Sequence, residues 1–332
     1  MSTYQAINLI ARPNPGPVDA SVFEVVNVQT APLEQGQFRV KQSHMSLDPA
    51  MFGWMSADTE SYIPPVELGA VMRSSGIGEV IESLNTDFAV GDKVMGMFGW
   101  QELAVSNGVG INKIDPTMNE EMVLSIFALP GLTAVQGLFN VAKPKSGETI
   151  LVTGAAGSVG SIVGQLAKAE GLNVIGVVGS DEKAKWIVEE LGFDAAINYK
   201  SNNLDEKLAK YAPNGIDVFF ENTGGAIQKL AFERMNAHGR VAVCGLIADY
   251  SATEPASGPS WLNLIKKRIT VQGYTMPDHL HNAPALLEQL TPYVMQGKIK
   301  YRAHVLNGLE SAIDGLNLFF TGENKCKLIV KL

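Results

Sequence analysis

The spacing of apolar positions changes partway along the chain. From residue 149 onwards, short apolar runs alternate with stretches whose apolar positions recur every three to four residues. The short runs predict strands buried on both faces, and the wider repeat predicts helices. Strands are expected at 149–153, 173–178, 195–198, 216–221, 239–245 and 268–273, and helices at 158–170, 181–191, 203–210, 225–236 and 281–296. This alternation predicts a parallel sheet with right-handed crossovers.

The first third of the chain has a mostly β pattern. Prolines and glycines separate short apolar segments at 23–28, 37–42, 76–82, 93–97 and 101–105. Two helices are then expected at 120–129 and 132–141, around Pro130-Gly131. The last strand, 327–330, is expected to rejoin the first region. We therefore predict two domains, residues 1–118 completed by 300–332, and residues 119–299, with a ligand cleft between them.

Composition narrows the class of protein. The chain has 332 residues, a net charge of −8 and 46% hydrophobic residues, which indicates a globular protein without general affinity for nucleic acid or acidic membranes. We expect neither a membrane span nor a signal segment at the N-terminus. Two cysteines, Cys244 and Cys326, form no disulfide framework, so a reducing cytoplasm is the expected location.

The strand at 149–153 leads into a turn of small residues, Gly154-Ala155-Ala156-Gly157, and then into the predicted helix from Ser158. Strand, glycine turn and helix are the phosphate-binding parts of a dinucleotide site. Glycines let the backbone approach a pyrophosphate, and the helix N-terminus offers unpaired N–H groups. The match to G-x-G-x-x-G is imperfect, because Ala155 occupies the first glycine position. A plain strand-to-helix turn packed with small residues is the alternative.

The end of the second strand bears on the choice of cofactor. An NAD site usually places an acidic residue there, bonded to the ribose 2′-hydroxyl, but this chain has Gly179 and Ser180. Lys183 follows one helical turn later, where it could pair with a 2′-phosphate. We therefore predict NADPH/NADP+. A solvated Lys183 is the alternative, and Asp181, interpreted as a helix N-cap or first-turn acid, is the contrary evidence.

Ordered motifs along nearly the whole chain carry a family resemblance. They are Ser46-Leu47-Asp48-Pro49, Pro130-Gly131-Leu132-Thr133-Ala134, Ala155-Ala156-Gly157-Ser158-Val159-Gly160, Gly179-Ser180-Asp181-Glu182-Lys183, Asn198-Tyr199-Lys200, Asn222-Thr223-Gly224-Gly225, Gly239-Arg240-Val241, Cys244-Gly245 and Lys327-Leu328-Ile329-Val330. The chain resembles the zinc-independent medium-chain dehydrogenase/reductases, in particular the NADPH-dependent alkenal/one reductases. The resemblance implies a Rossmann-type doubly wound sheet for NADP and a GroES-like, mostly β catalytic domain. It also implies a homodimer that acts on a small hydrophobic enone or enal.

The predicted site combines the turn, the second strand end and the residues that the resemblance implies. Predicted cofactor contacts are Thr133, Ala156, Gly157, Ser158, Val159, Gly160, Gly179, Ser180, Lys183, Tyr199, Asn222, Cys244, Gly245, Tyr250, Tyr274, Thr275, Met276 and Asn324. Tyr250 is the predicted catalytic donor to the developing enolate, and the alternative is a tyrosine that only packs on the ribose.

Two departures from the family pattern concern the substrate and the C-terminus. Ala50 and Phe52 stand where relatives of this family carry Tyr and Arg, so these two residues and Tyr62 are predicted to line the substrate pocket. Cys326 replaces a glycine of the C-terminal motif. The substrate itself does not follow from the sequence.

Other chemistries have less support. Two cysteines exclude a four-cysteine zinc site, Gly69-Ala70-Val71 replaces the Gly-His-Glu expected for catalytic zinc, and no metal is predicted. The pair in His279-Leu280-His281 is interpreted as an ordinary loop and helix start. A carbonyl or quinone reductase, or a non-catalytic NADPH-binding protein, are the alternative functions.

Overall fold

The computed structural model describes residues 2–250 and 257–332. It divides into two compact units, one formed by Met1–Leu124 with Ala303–Leu332 and the other by Ser125–Arg302. The first is mostly β-structure, and the second is a parallel sheet connected by helices. The predicted fold class is confirmed.

The N-terminal part of the first unit is mostly β-structure. Its strands are β1 (Thr3–Leu9), β2 (Phe23–Gln29), β3 (Phe38–Leu47), β4 (Gly76–Ser83), β5 (Lys93–Gly96), β6 (Leu103–Ser106) and β7 (Asn112–Lys113), and helix α1 (Ala50–Met55) follows β3. The apolar pattern predicts neither β1 nor α1. Gln5 and Asn8 interrupt the apolar positions of β1, and six residues are too few to establish a helical repeat.

Helical structure begins at Glu120 and ends at Ala142, where the chain passes from one unit to the other. It comprises α2 (Glu120–Met122), a π-helical segment (Val123–Phe127), α3 (Leu129–Val135) and a second π-helical segment (Gln136–Ala142). The break lies at Ala128, not at Pro130-Gly131 as predicted. Pro130 is in the first turn of α3, where its missing N–H leaves no hydrogen bond unmade.

Residues Glu120–Ala142 are long and apolar enough to cross a membrane, judged by length and composition alone. Taken alone, this finding runs against the expectation that nothing spans a membrane. However, 72% of its most apolar stretch is buried inside the protein, as in the core helix of a globular domain. Its apolarity is thus accounted for by packing within the fold.

Strands and helices alternate through the second unit. In order they are β8 (Thr149–Thr153), α4 (Ser158–Ala169), β9 (Asn173–Val178), α5 (Asp181–Glu189), β10 (Ala195–Asn198), α6 (Leu204–Tyr211), β11 (Ile216–Glu221), α7 (Ala226–Arg234), β12 (Met235–Val243), α8 (Leu262–Lys267), β13 (Thr270–Gly273) and α9 (Ala283–Met295). Strand β12 begins four residues before its predicted start, because α7 ends at Arg234 and the chain becomes extended at Met235.

The sheet of the second unit is parallel, in the order β10-β9-β8-β11-β12-β13. From β8 the chain adds β9 and β10 on one side of the sheet, and from β11 it adds β12 and β13 on the other side. The order in which strands are added therefore reverses between β8 and β11. Leu151 of β8 pairs with Ile175 on one side and Phe219 on the other, and all three are fully buried. Ligands of open α/β sheets bind at the carboxyl ends of the strands beside such a reversal.

The C-terminal part comprises β14 (Ala303–Asn307), α10 (Ser311–Thr321) and β15 (Lys327–Lys331). Strand β15 lies between β14 and β3, and Leu328 pairs with Leu47 in antiparallel register. The buried ammonium of Lys327 donates to Leu47 O at 2.9 Å, to Asp48 Oδ1 at 2.8 Å and to the Ser46 hydroxyl. Two motifs of the family resemblance, far apart in sequence, thus meet around one buried ion pair.

We predict that Gly164→Ala destabilises the protein by about 1–3 kcal/mol, the usual cost of overpacking. A Cβ on Gly164 of α4 would lie 1.8 Å from Cζ of the buried Phe193 ring, so helix or ring must move. The matched control is Gly53→Ala in α1, where a Cβ meets nothing within 4 Å and helix propensity favours alanine. Urea unfolding measures both variants, and equal stabilities for the two would contradict the prediction.

Candidate functional site

The glycine turn connects β8 to α4 in the second unit. Gly154 adopts φ +58°, a left-handed conformation that favours glycine, and its carbonyl accepts from Gly157 N at 2.8 Å. A Cβ on Gly160 would lie 2.4 Å from that carbonyl, so glycine lets α4 approach the turn. No side chain caps the N-terminus of α4 at Gly157. The turn therefore presents backbone N–H groups and a helix dipole suited to a phosphate.

The residues predicted from the end of β9 lie together. Ser180 caps α5, because its hydroxyl accepts from Lys183 N at 3.2 Å. Asp181 is a first-turn acid and not the N-cap, and its carboxylate accepts from Asn198 Nδ2 at 2.9 Å. The aromatic ring of exposed Tyr199 would be 3.3 Å from a Cβ on Gly179. Gly179 and Ser180 thus occupy the position usually held by an acid, and the Tyr199 ring lies close to Gly179.

A buried carboxylate, Glu221, ends β11 next to the turn, and it is not among the residues predicted from the sequence. Its Oε1 accepts from the Thr153 hydroxyl, from Thr223 N at 2.7 Å and from Gly224 N at 3.1 Å. Among the described residues, Oε2 has no partner. Burial raises the pKa of Glu221, although these hydrogen bonds oppose the shift. The only signal in the sequence is an acid directly after an apolar strand, which also fits an exposed loop.

Asn222 and the start of the next loop are held at the same sheet edge. Asn222 Nδ2 donates to Thr153 O at 2.7 Å, which joins the end of β11 to the end of β8. Cys244 and Gly245 donate their backbone N–H groups to Glu221 O at 2.9 and 3.2 Å. The side chain of Asn222 therefore braces the turn.

Tyr250 lies in the loop after β12, with 44% of its surface exposed. Its hydroxyl accepts from Leu246 N at 3.3 Å, and a Cβ on Gly245 would be 2.9 Å from the same oxygen. The loop therefore folds back on itself, and Gly245 provides the space for the hydroxyl. Residues 251–256, directly after Tyr250, lie outside the described part of the chain.

Tyr274 follows β13 and is partly buried. Its hydroxyl donates to Thr133 O at 2.9 Å, and a Cβ on Gly137 would lie 2.1 Å from it. Burial raises the pKa of Tyr274 well above its usual value, and burial also raises the pKa of the Cys244 thiol to about 11. Both groups are thus neutral at physiological pH.

Two predicted contacts near Tyr274 differ in their hydrogen bonding. The Thr133 hydroxyl donates to Leu129 O at 2.6 Å, one turn earlier in α3, so it is engaged within its own helix. The Thr275 hydroxyl is a buried oxygen without a partner in the described chain, and Met276 beside it is buried. Thr275 therefore has an unused hydrogen-bonding group that a ligand could satisfy.

Four predicted site residues belong to the first unit. Phe52 is only 6% exposed and packs edge-on against Phe319 and Phe320, with ring centroids 6.2 and 4.8 Å away. Its ring is thus part of the hydrophobic core. Ala50 is partly buried against the same core, and Tyr62 is exposed.

The fourth, Asn324, belongs to the C-terminal motif. Its Nδ2 donates to Cys326 O at 3.3 Å. Cys326 adopts φ +64°, a conformation that favours glycine, the residue that the family resemblance implies there. The replacement therefore places a side chain on a strained backbone position, next to a residue predicted to contact the cofactor.

Comparisons with known proteins match both parts of the chain. A family described as "N-terminal domain of oxidoreductase" matches residues 5–114, and one described as "Zinc-binding dehydrogenase" matches residues 158–291. NADPH-dependent curcumin reductase of Escherichia coli (strain K12) is 37% identical, over 98% of this chain and 95% of its own. NADP(+)-dependent 2-alkenal reductase of Nicotiana tabacum is 37% identical, over 88% and 86%.

A solved structure extends the comparison to the fold. The crystal structure of CurA from Vibrio vulnificus in complex with NADPH matches with a TM-score of 0.93 and 36% identity, over 98% of each chain. Together, these matches and the fold define the protein as an oxidoreductase. The chain belongs to the medium-chain dehydrogenase/reductase family, as its ordered motifs predict.

Zinc appears in the description of one matching family. Within residues 2–250 and 257–332, no three His, Cys, Asp or Glu side chains form a group that could hold a metal ion. We therefore expect purified protein to contain no stoichiometric zinc by elemental analysis, and exhaustive chelation to leave turnover unchanged. Tightly bound zinc, or activity that disappears with chelation and returns with zinc, would overturn this expectation.

Proposed function

We propose that the protein reduces the C=C bond of α,β-unsaturated ketones and aldehydes with NADPH. The observation that carries the proposal is similarity over nearly the full length to reductases named for curcumin and 2-alkenals, with the strand, turn and helix of a dinucleotide site. Reduction would add hydride to the β-carbon and a proton to the α-carbon. The substrate would be a small, hydrophobic enone or enal.

The residues at the sheet edge fit NADPH. Backbone N–H groups of Ser158, Val159 and Gly160, at the uncapped start of α4, would receive the pyrophosphate. Lys183 and Tyr199 would hold the 2′-phosphate, because Gly179 and Ser180 stand in place of the strand-end acid that would repel it. The Thr275 hydroxyl, which has no partner in the described chain, could form a hydrogen bond with a polar group of the cofactor at the same edge. The remaining predicted contacts at this edge, Asn222, Cys244, Gly245, Tyr274 and Met276, would line the cofactor.

NADPH supplies the hydride when it is bound, so the chain itself must orient the substrate and stabilise negative charge. Tyr250 is the proposed donor to the enolate oxygen that develops during reduction. Its hydroxyl oxygen already accepts from Leu246 N, and this bond fixes its position and favours donation of its own proton. Ala50, Phe52 and Tyr62 remain the predicted substrate-pocket residues, and Asn324 remains a predicted cofactor contact.

The test is NADPH oxidation with enones, enals and simple ketones, followed by product mass and the position of deuterium from labelled NADPH. A saturated ketone with deuterium on the β-carbon supports the proposal. An unsaturated alcohol would instead identify a carbonyl reductase. Binding of NADPH without oxidation by any substrate would indicate a non-catalytic NADPH-binding protein.

We also propose a homodimer that forms at the β13 edge, in keeping with a cytoplasmic enzyme. All four residues of β13 are exposed, and neighbouring α8 exposes Ile265 at 76%, next to Trp261 at 74%. A second copy could extend the sheet by pairing with this edge. Sedimentation equilibrium should give twice the chain mass, and Val271→Asp should shift it towards the monomer. A monomeric wild type would contradict the proposal.

A further inference from the structure

A closed hydrogen-bond network surrounds Thr153 at the end of β8. The Thr153 hydroxyl donates to Glu221 Oε1 and accepts from Asn222 N at 2.9 Å. Asn222 Nδ2 returns to Thr153 O at 2.7 Å. Thr153 is separated from Glu221 and Asn222 by 68 and 69 positions in sequence, and the network joins the ends of β8 and β11 directly beyond their last paired residues, Val152 and Phe220. Gly154 follows directly, so the glycine turn starts from this network.

The same short segment supports the loop after β12. Glu221 O accepts from Cys244 N and Gly245 N, and Thr223 O accepts from Ala248 N at 2.9 Å. The Glu221 carboxylate in turn holds the N–H groups of Thr223 and Gly224. The loop that carries Tyr250 is therefore connected through residues 221–224 to the glycine turn.

A fully buried acid is an unfavourable choice for stability alone. Glu221 is 0% exposed, and its Oε2 has no partner among the described residues. An apolar side chain would avoid the cost of burying an acid at the end of this apolar strand. What the carboxylate provides, and a leucine cannot, is one acceptor for the converging donors of Thr153, Thr223 and Gly224.

We infer that Glu221 is a positioning residue for the NADPH site. It sets the spacing of the glycine turn, the loop after β11 and the loop after β12, and acts through them without contacting the reacting atoms. This inference rests on the proposed use of NADPH. Glutamine keeps Oε1 as an acceptor and resembles the neutral acid that burial favours, whereas leucine removes the acceptor and keeps the approximate volume.

The experiment compares the wild type with Glu221→Leu, Glu221→Gln and Glu148→Gln. For each protein, isothermal titration calorimetry gives the Kd of NADPH, and thermal unfolding gives the melting temperature. Glu148 is the matched control. Its carboxylate pairs with Arg240 at 2.6 Å. The residue itself directly precedes β8, so it lies at the opposite end of the sheet from Glu221. We expect Glu221→Leu to raise the Kd at least about tenfold, which is the scale for losing hydrogen bonds to a carboxylate. Glu221→Gln should raise the Kd by less than about threefold. Glu148→Gln should leave the Kd unchanged.

Thr153→Val covers the case in which Glu221→Leu does not fold. It removes only the hydroxyl that joins β8 to Glu221, and it should raise the Kd about three- to tenfold with cooperative unfolding retained. A lower melting temperature with unchanged Kd in Glu221→Leu or Thr153→Val would reduce Glu221 to a structural role and overturn the inference. A wild type that does not bind NADPH would instead refute the proposed function.

Discussion

Tyr250→Phe should lower kcat and kcat/KM together by about 10- to 1000-fold, the range for loss of one donor to a developing oxyanion. The substitution keeps the ring and removes only the hydroxyl. The affinity for NADPH should stay nearly unchanged, because the ring still packs in the loop after β12. Lower kcat with unchanged NADPH affinity is expected when the lost bond forms only in the transition state, since its loss leaves ground-state binding intact.

Steady-state kinetics with an enone, and the Kd of NADPH, measure the effect. Tyr293→Phe is the matched control, because it also removes one tyrosine hydroxyl, which donates to Glu170 Oε1 at 2.6 Å, directly after α4. The control should retain wild-type turnover. If Tyr250→Phe keeps kcat within about twofold, the donor is the cofactor ribose or water, and Tyr250 only borders the site. A collapse of NADPH affinity would make Tyr250 a cofactor contact without a catalytic role.

Lys183→Ala should weaken NADPH binding by about 1–3 kcal/mol, or about 5- to 150-fold in Kd, and hardly affect NADH. The two cofactors differ by the 2′-phosphate, and a charge-assisted bond to that group is lost only with NADPH. The preference for NADPH should also fall as salt rises, because screening weakens the attraction between lysine and phosphate.

Lys185→Ala provides the control for Lys183, because both lysines lie on α5. Lys185 is exposed and pairs with Glu189 at 3.8 Å on the same helix. Its removal changes the net charge equally and should leave both cofactor affinities unchanged. Equal losses for NADPH and NADH in Lys183→Ala would show that the lysine supports the fold of the site and does not recognise the 2′-phosphate.

Local patterns predicted most of the second unit. Residues 150–152 are apolar without interruption because both faces of β8 are covered. A strand buried on both faces can therefore be recognised from its apolar run alone. The glycine turn was also predictable, since the backbone conformation at Gly154 depends on the residue itself. Each of these features rests on residues close together in the chain.

Errors arose where local preference and local packing compete. The helix break moved to Ala128 because Pro130 is tolerated in a first helical turn, so the proline marked the start of α3 and not its interruption. The neighbouring backbone also decided between the two positions left open for Asp181: Ser180 caps α5, so Asp181 is a first-turn acid.

The amino-acid sequence by itself determined the fold class, the family and the glycine turn after β8, since each follows from periodicity or from motifs within short segments. Only the tertiary structure decided the roles of Glu221 and Phe52. Glu221 becomes a buried acceptor because Thr153, 68 residues earlier, brings it a hydroxyl. Phe52 becomes a core residue because α10 places Phe319 and Phe320 against it. Such roles depend on partners distant in sequence, and no local pattern specifies which distant residues will meet.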